Sequence, residues 1–362
     1  MMALHPSVHT PLGFHYYPDT MHYRGKDLRI WLPELQSLGA CWLTLFAPAN
    51  HAIPEPFITG LVSGGIEPIL HFHLPISSPP PSNDLRPLFT AYAQWGVRYA
   101  VLFDRPNLQQ SWGVSAWPLG NLVERFLDIY LPIAETALVC GLLPVFPPLE
   151  PGGDYWDTAF LKSALQGIAR RGYSQSPLAG RLAAYAWADH RPLDWGEGGP
   201  EYWTGTRPYY TPPGEEDQLG FRIFDWYLAI ARTELINPCE ILLVGAGCRP
   251  TQQTDAHSLA IDPYTHARQN LAIARLVCGE TGQAHPLPPE VIACNFWLLT
   301  TSPNTPFTPH AWFQPNGTTL PIVQAWHEWR HPSGTELATD GLPNLSRTTY
   351  DHLTISSNLP SC

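Results

Sequence analysis

Tyr99-Ala100-Val101-Leu102-Phe103-Asp104-Arg105-Pro106-Asn107 is an unbroken apolar run that stops at an acid, a base and a proline. A strand buried on both faces reads this way, because neither of its alternating faces meets water. Working outward, further runs of the same kind are Gly13 to Tyr17, Cys41 to Phe46, Ile66 to His73, Leu142 to Phe146, Leu182 to Trp187, Glu240 to Gly245 and Val291 to Leu298. Amphipathic stretches separate them. Leu28, Trp31, Leu32, Leu35 and Leu38 fall at helical spacing, as do Leu85, Leu88, Phe89 and Tyr92. So do Phe160, Ala164 and Ile168 after a cap at Asp154, then Phe221, Phe224 and Leu228, then Ala267, Leu271 and Ala274, and lastly Leu320 to Trp329. Strands alternating with helices predict an α/β chain with a parallel sheet, and eight units predict a single (β/α)8 barrel over residues 1–330. Residues 331–362 lose periodicity and read as a polar, irregular C-terminal tail.

Composition is consistent with one large domain. Of 362 residues, 44% are hydrophobic and only 14% charged, while 40 prolines are about twice the usual ~5% share. Twenty Lys and Arg against 31 Asp and Glu leave a net charge of -11, too little positive charge to track phosphates, so nucleic acid is not an expected partner. No signal-like start and no membrane-length apolar run is present, which points to the cytoplasm and to no membrane partner. Seven cysteines without a C-x-x-C pair read as free thiols, with neither a disulfide framework nor a zinc knuckle. No resident cofactor is expected.

Barrels of this class carry their chemistry on the loops after the strands. Tyr16, Tyr17, Phe46, His71, His73, Phe103, Trp112, Trp187 and Trp297 lie at or just past those ends, with Trp156, Trp195, Trp203 and Trp312 in the segments that follow. Flat rings with polar edges suit the faces of sugars. The same rings also suit plugging a proline-rich loop layer, and both readings stand at this point.

The fourth run, with Trp112-Gly113 shortly after it, resembles strand four of the retaining glycoside hydrolases of the large barrel clan, where Asn-Glu-Pro carries the acid/base glutamate. Val244-Gly245-Ala246-Gly247 stands where that clan's Thr-Glu-x-Gly presents the nucleophile, and Phe296-Trp297 resembles its aromatic platform. Pro151-Gly152-Gly153-Asp154 follows strand five, and the resemblance spans about residues 11 to 330. Carried over by position, it puts the acid/base on Arg105 and the nucleophile on Gly245. Retaining hydrolysis needs two carboxyls about 5 Å apart. Arginine releases no proton at neutral pH and glycine has no side chain, so the resemblance implies a barrel that binds carbohydrate without retaining hydrolysis. The binding residues it implies are Tyr17, His73, Asp104, Arg105, Asn107, Trp112, Trp187 and Trp297. Shifting the frame by one residue brings Asp104 to the acid position, but strand alternation would then turn its side chain to the other face.

Arg105 itself reads two ways. It pairs with Asp104 or another rim carboxylate, or it stands free to hold the carboxylate or sulfate of a charged glycan. Hydrolysis by relocated acids is the main alternative function, since Asp19, Asp104, Glu150, Asp154 and Asp189 lie on segments that reach the mouth. Glu150 and Asp189 are the first candidates for an inverting pair, which needs about 6.5 to 9.5 Å between carboxyls. A third reading is a metal-dependent barrel hydrolase. His71 and His73, two apart on one strand, face the same side and can share an ion, with Asp189-His190 completing the set.

Overall fold

The computed structural model describes residues 10–113, 116–250, 260–280 and 286–332. The expected tail falls outside them from residue 333 onward. Eight strands alternate with eight α-helices among these residues: β1 (Leu12–His15), α1 (Gly25–Ser37), β2 (Trp42–Phe46), α2 (Glu55–Ser63), β3 (Glu67–Phe72), α3 (Ser82–Gln94), β4 (Tyr99–Leu102) and α4 (Leu122–Val139) form the first half. The second half is β5 (Leu143–Val145), α5 (Asp157–Arg170), β6 (Arg181–Trp187), α6 (Ile223–Glu234), β7 (Glu240–Gly247), α7 (Pro263–Val277), β8 (Val291–Phe296) and α8 (Pro321–Arg330).

The strands pair in parallel in the order β5-β4-β3-β2-β1-β8-β7-β6. Phe146 closes the ring: its N–H reaches the Arg181 carbonyl at 3.0 Å, and its own carbonyl accepts from Ala183 at 2.9 Å. The chain is thus a (β/α)8 barrel, as the alternating runs predict. No described helix is long and apolar enough to cross a membrane.

Helix ends follow local chemistry. Gly141 and Gly172 take φ of +98° and +85° just past α4 and α5, the left-handed turn that lets the following N–H return to the last turn. Asp262 caps α7 by accepting from the N–H groups of Tyr264 and Thr265, with Pro263 in the first turn. α5 starts at Asp157, so the expected cap at Asp154 is displaced; the Asp154 carboxylate instead takes the Gln109 N–H at 2.8 Å.

Period-two alternation decides what fills the barrel. Trp42, Ile69, Tyr99, Val101, Val145, Ala183, Leu242, Val244 and Ala293 pack together inside it. Gly13 makes room for them, since a Cβ there would lie 2.6 Å from that of Trp42. One pleat higher the inward positions turn polar: His15, Thr44, His71 and Asn295 are all buried. Outside the strands a second, larger apolar layer joins sheet to helices, and it takes Trp312 and Trp326, both fully buried against Phe14 and Phe296.

One long connection shapes the mouth. Residues 188–222 between β6 and α6 are held by their own ion pairs, including the buried Arg222 with Glu197 at 2.9 Å and Arg191 with Asp217. Trp195, Trp203 and Trp226 each spend their indole N–H inside this segment or on it. Trp195 and Trp203 thus plug this loop, whereas Trp312 belongs to the layer between sheet and helices.

Candidate functional site

The polar end of the fourth run is built by two unusual backbone positions. β4 ends at Leu102, and Phe103 takes φ of +72°, which sends its ring outward onto Phe126 of α4. Alternation therefore breaks at Phe103, and Asp104 faces the mouth rather than the other side, contrary to the strand-parity expectation. Its Oδ1 accepts the Tyr185 hydroxyl at 2.7 Å. Arg105, with φ of +45°, also faces inward, its guanidinium 4.6 Å above the Tyr185 ring. Arg105 Nε lies 3.0 Å from Glu150 Oε2 and 3.8 Å from Asp104 Oδ2. Of its two readings, the paired one describes this geometry. Burial, reinforced by the Asp104 charge, holds the Tyr185 hydroxyl well above the usual tyrosine range, so it remains a donor.

Asn107 and Trp112, expected at the ligand, are both buried. Asn107 is fully buried, donating to the carbonyls of Glu150 and Tyr155 and accepting from the Glu150 N–H. It clamps the loop after β4 to the loop after β5. Gly153 permits the clamp, since a Cβ there would sit 2.5 Å from the Asn107 amide nitrogen. Trp112 is buried, donates to the Pro106 carbonyl at 2.7 Å and carries Arg125 over its ring. Neither side chain offers the cleft a free group.

Trp187 is at the mouth, but its π-surface is shared. The ring lies nearly parallel to Tyr185, with centroids 5.5 Å apart, and Arg249 stands 4.2 Å over it. Arg249 also forks onto Asp189, Nε to Oδ1 at 3.2 Å and Nη2 to Oδ2 at 2.5 Å. Glu150, Trp187, Asp189, His190, Arg191 and Arg249 are among the residues lining a cavity of about 270 Å³. Thus Glu150 and Asp189 do face one space, each against a guanidinium. Asp19 is spent at the rim on the Met21 N–H and the Ser302 hydroxyl.

Gly245 lies under the two rings. A Cβ built there would meet Trp187 at 2.8 Å and Tyr185 at 3.0 Å, so those rings occupy the space a side chain would need. Trp297, from the end of β8, is half-buried, donates its indole N–H to His310 Nδ1 at 3.1 Å and packs against His15 at 4.6 Å. Tyr17 stacks on His22 at 3.8 Å and meets Trp31 edge-on, toward α1.

The β1–β3 side of the mouth carries three imidazoles. His71 Nε2 lies 3.0 Å from the Phe103 carbonyl, and His73 Nε2 lies 3.4 Å from His71 Nδ1. Phe46 stands between His15 and His73, 4.7 and 4.1 Å from their rings. Burial first, then neighbouring histidines, hold His15 and His71 well below the usual imidazole range. His71 and His73 do come together, as their spacing predicts. The carboxylate beside them is Asp104, not Asp189: ligating atoms of the three residues lie within 4.8 Å of one another. Asp189 is instead held by Arg249, which corrects the set expected from Asp189-His190.

Tyr185 and His15 escaped the reading of strand ends. The signal that finds them is parity, since Tyr185 shares a face with Trp187 and His15 shares one with Gly13.

Neither a family model nor a curated protein sequence matches the chain. Solved structures do. A β-xylosidase from Caulobacter crescentus CB15 superposes with a TM-score of 0.50 at 13% identity, over 90% of this chain and 68% of that one. An intracellular xylanase from Thermoanaerobacterium saccharolyticum gives 0.51 at 12% identity, over 88% and 96%. A family 51 α-L-arabinofuranosidase from Bifidobacterium longum gives 0.51 at 9%, over 88% and 72%. At these identities the likeness is one of architecture, and by architecture the chain is a (β/α)8 barrel of the kind these glycoside hydrolases share.

Proposed function

We propose that the barrel mouth binds a carbohydrate and does not cleave it by the retaining route. The observation that carries this reading is how the mouth's carboxylates are occupied: Glu150 lies against Arg105, Asp189 is forked by Arg249, and Asp104 takes the Tyr185 hydroxyl. A retaining enzyme needs one carboxyl to give a proton to the leaving oxygen and another to attack. Here Arg105 and Gly245 stand at the positions the resemblance assigns to them. Trp297, half-buried with its indole N–H on His310, supplies an aromatic surface, and His73, Asp104 and Arg105 supply polar edges. The similar intracellular xylanase barrel is described in complex with xylotriose, which supports a glycan as the ligand class.

The test is a glycan array followed by calorimetry on the best ligand. Saturable binding, weakened about tenfold in Trp297→Ala, with no release of aryl alcohol from aryl glycosides, is the expected result. An array without a ligand above background sinks the reading. Inverting hydrolysis by Glu150 and Asp189 remains a second reading because both line one cavity. Turnover that disappears in Glu150→Gln and in Asp189→Asn would establish it in place of the first.

A further inference from the structure

We propose that His71, His73 and Asp104 form a divalent transition-metal site, best matched to Zn2+, on the β3–β4 side of the mouth. The site does not depend on glycan binding.

The Phe103 carbonyl can only accept, so the contact at His71 Nε2 means that this nitrogen carries the hydrogen. His71 Nδ1 then keeps its lone pair and directs it toward His73 Nε2, 3.4 Å away. Two imidazole nitrogens each about 2.0 to 2.1 Å from a tetrahedral zinc ion are themselves about 3.4 Å apart. The separation found fits two ligands sharing an ion, which would take the place of the hydrogen bond that His73 Nε2–H gives to His71 Nδ1 in its absence. A ligating imidazole ordinarily gives its other N–H to a carbonyl or carboxylate, and His71 does so already.

Asp104 supplies the third group. It faces the histidines only because Phe103 and Arg105, on either side, hold left-handed backbone that side chains other than glycine rarely adopt. Tyr185 fixes the carboxylate through Oδ1, the outer support expected of a ligating acid. The nearby guanidinium pairs with it only loosely: Arg105 Nε is closer to Glu150, at 3.0 Å, than to Asp104, at 3.8 Å. Two imidazoles and a carboxylate are a donor set suited to zinc, and three protein ligands leave one position for water or a ligand hydroxyl.

The experiment titrates the full chain with ZnCl2 in a calorimeter and with CoCl2 in a spectrophotometer. The expected result is one saturable Zn2+ site per chain of micromolar or tighter affinity, and a four-coordinate cobalt spectrum. His73→Ala and Asp104→Asn should each weaken binding by about tenfold or more, whereas His51→Ala, an exposed histidine elsewhere on the barrel, should not. His73 is exposed, so its variant should fold like the parent. Absence of saturable binding, or binding that survives both variants, overturns the site. Repeating the glycan measurement in chelator separates the two proposals: glycan binding that persists while zinc fails to bind leaves the carbohydrate reading intact, and the reverse leaves only the metal.

Discussion

The two sides of the barrel mouth spend their polar groups differently. On the β4–β7 side, Arg105 lies over Tyr185 and against Glu150, and Arg249 lies over Trp187 and forks Asp189. Charges and ring faces there are matched, although the buried Trp187 indole N–H has no hydrogen-bond partner. On the β1–β3 side, His15 Nδ1 is buried without a hydrogen-bond partner, and the facing nitrogens of His71 and His73 are 3.4 Å apart. One side is therefore a finished structure tied by ion pairs and ring contacts, and the other is lined by imidazoles held by a single long contact between His71 and His73. Truncating the first should cost stability, whereas truncating the second should cost binding.

The largest expected effect comes from Gly245→Glu on the finished side. Its Cβ would press on Trp187 and Tyr185, and its carboxylate would enter a space those rings fill. Overpacking together with an unpaired buried charge should destabilise the protein by about 3 kcal/mol or more, read by urea denaturation. No hydrolysis should appear, alone or with Arg105→Glu. A stable double variant that cleaves aryl glycosides would show that the rings yield and that the inherited positions are competent.

A pH titration sharpens the contrast, because the two sides rest on groups shifted in opposite directions. His15 and His71 are held below their ordinary value of 6.5 by burial, so the folded chain prefers them neutral. Their contribution is present above pH 6.5 and lost as the pH falls toward their folded values. Asp157, fully buried under the turn that carries Glu150, behaves the other way. Burial lifts its carboxyl from 3.8 to about 6, against the opposing pull of donors from Gly152, Gln218 and Tyr227. Its contribution is present below pH 3.8 and lost as the pH rises through 6, a change of about 3 kcal/mol at most. Asp157→Asn should therefore gain on the parent as the pH rises from 4 to about 6. Equal pH profiles for the two proteins would mean that the carboxyl is not raised.

Much of this was legible in the chain because its cause is local. Near-continuous apolar runs become strands covered on both faces, and glycines such as Gly141 and Gly172 mark helix ends. α4 gave no distinct stripe because most of its circumference is buried, from Leu122 and Val123 through Leu131 to Ala137. The site was less legible. Parity turned Asp104 the wrong way, since the positive φ of Phe103 is a tertiary outcome with no glycine to announce it. Asn107 and Trp112 carry the right chemistry for a ligand, but loop-to-loop bonds that only the fold creates consume it. Trp187 is where a platform should be, and a guanidinium some 60 residues further along the chain lies over it.

The smallest expected effect tests whether the finished side is held by its charges or by its rings. A double-mutant cycle over Arg105→Ala and Glu150→Ala isolates their pairing, which both residues make at about one-third exposure. Water screens such a pair, so the coupling should be about 0.5 to 1 kcal/mol and should shrink in high salt. Arg105 also rests on Tyr185, a contact that salt weakens less and that is absent from this cycle because Tyr185 is unchanged in all four proteins. Arg105→Ala alone should consequently cost more than the coupling, the excess measuring the ring contact together with the looser pairing to Asp104. Should the single cost and the coupling agree within error at both salt concentrations, the stacking would contribute nothing, and only ion pairing would distinguish this side of the mouth from its histidine-lined counterpart.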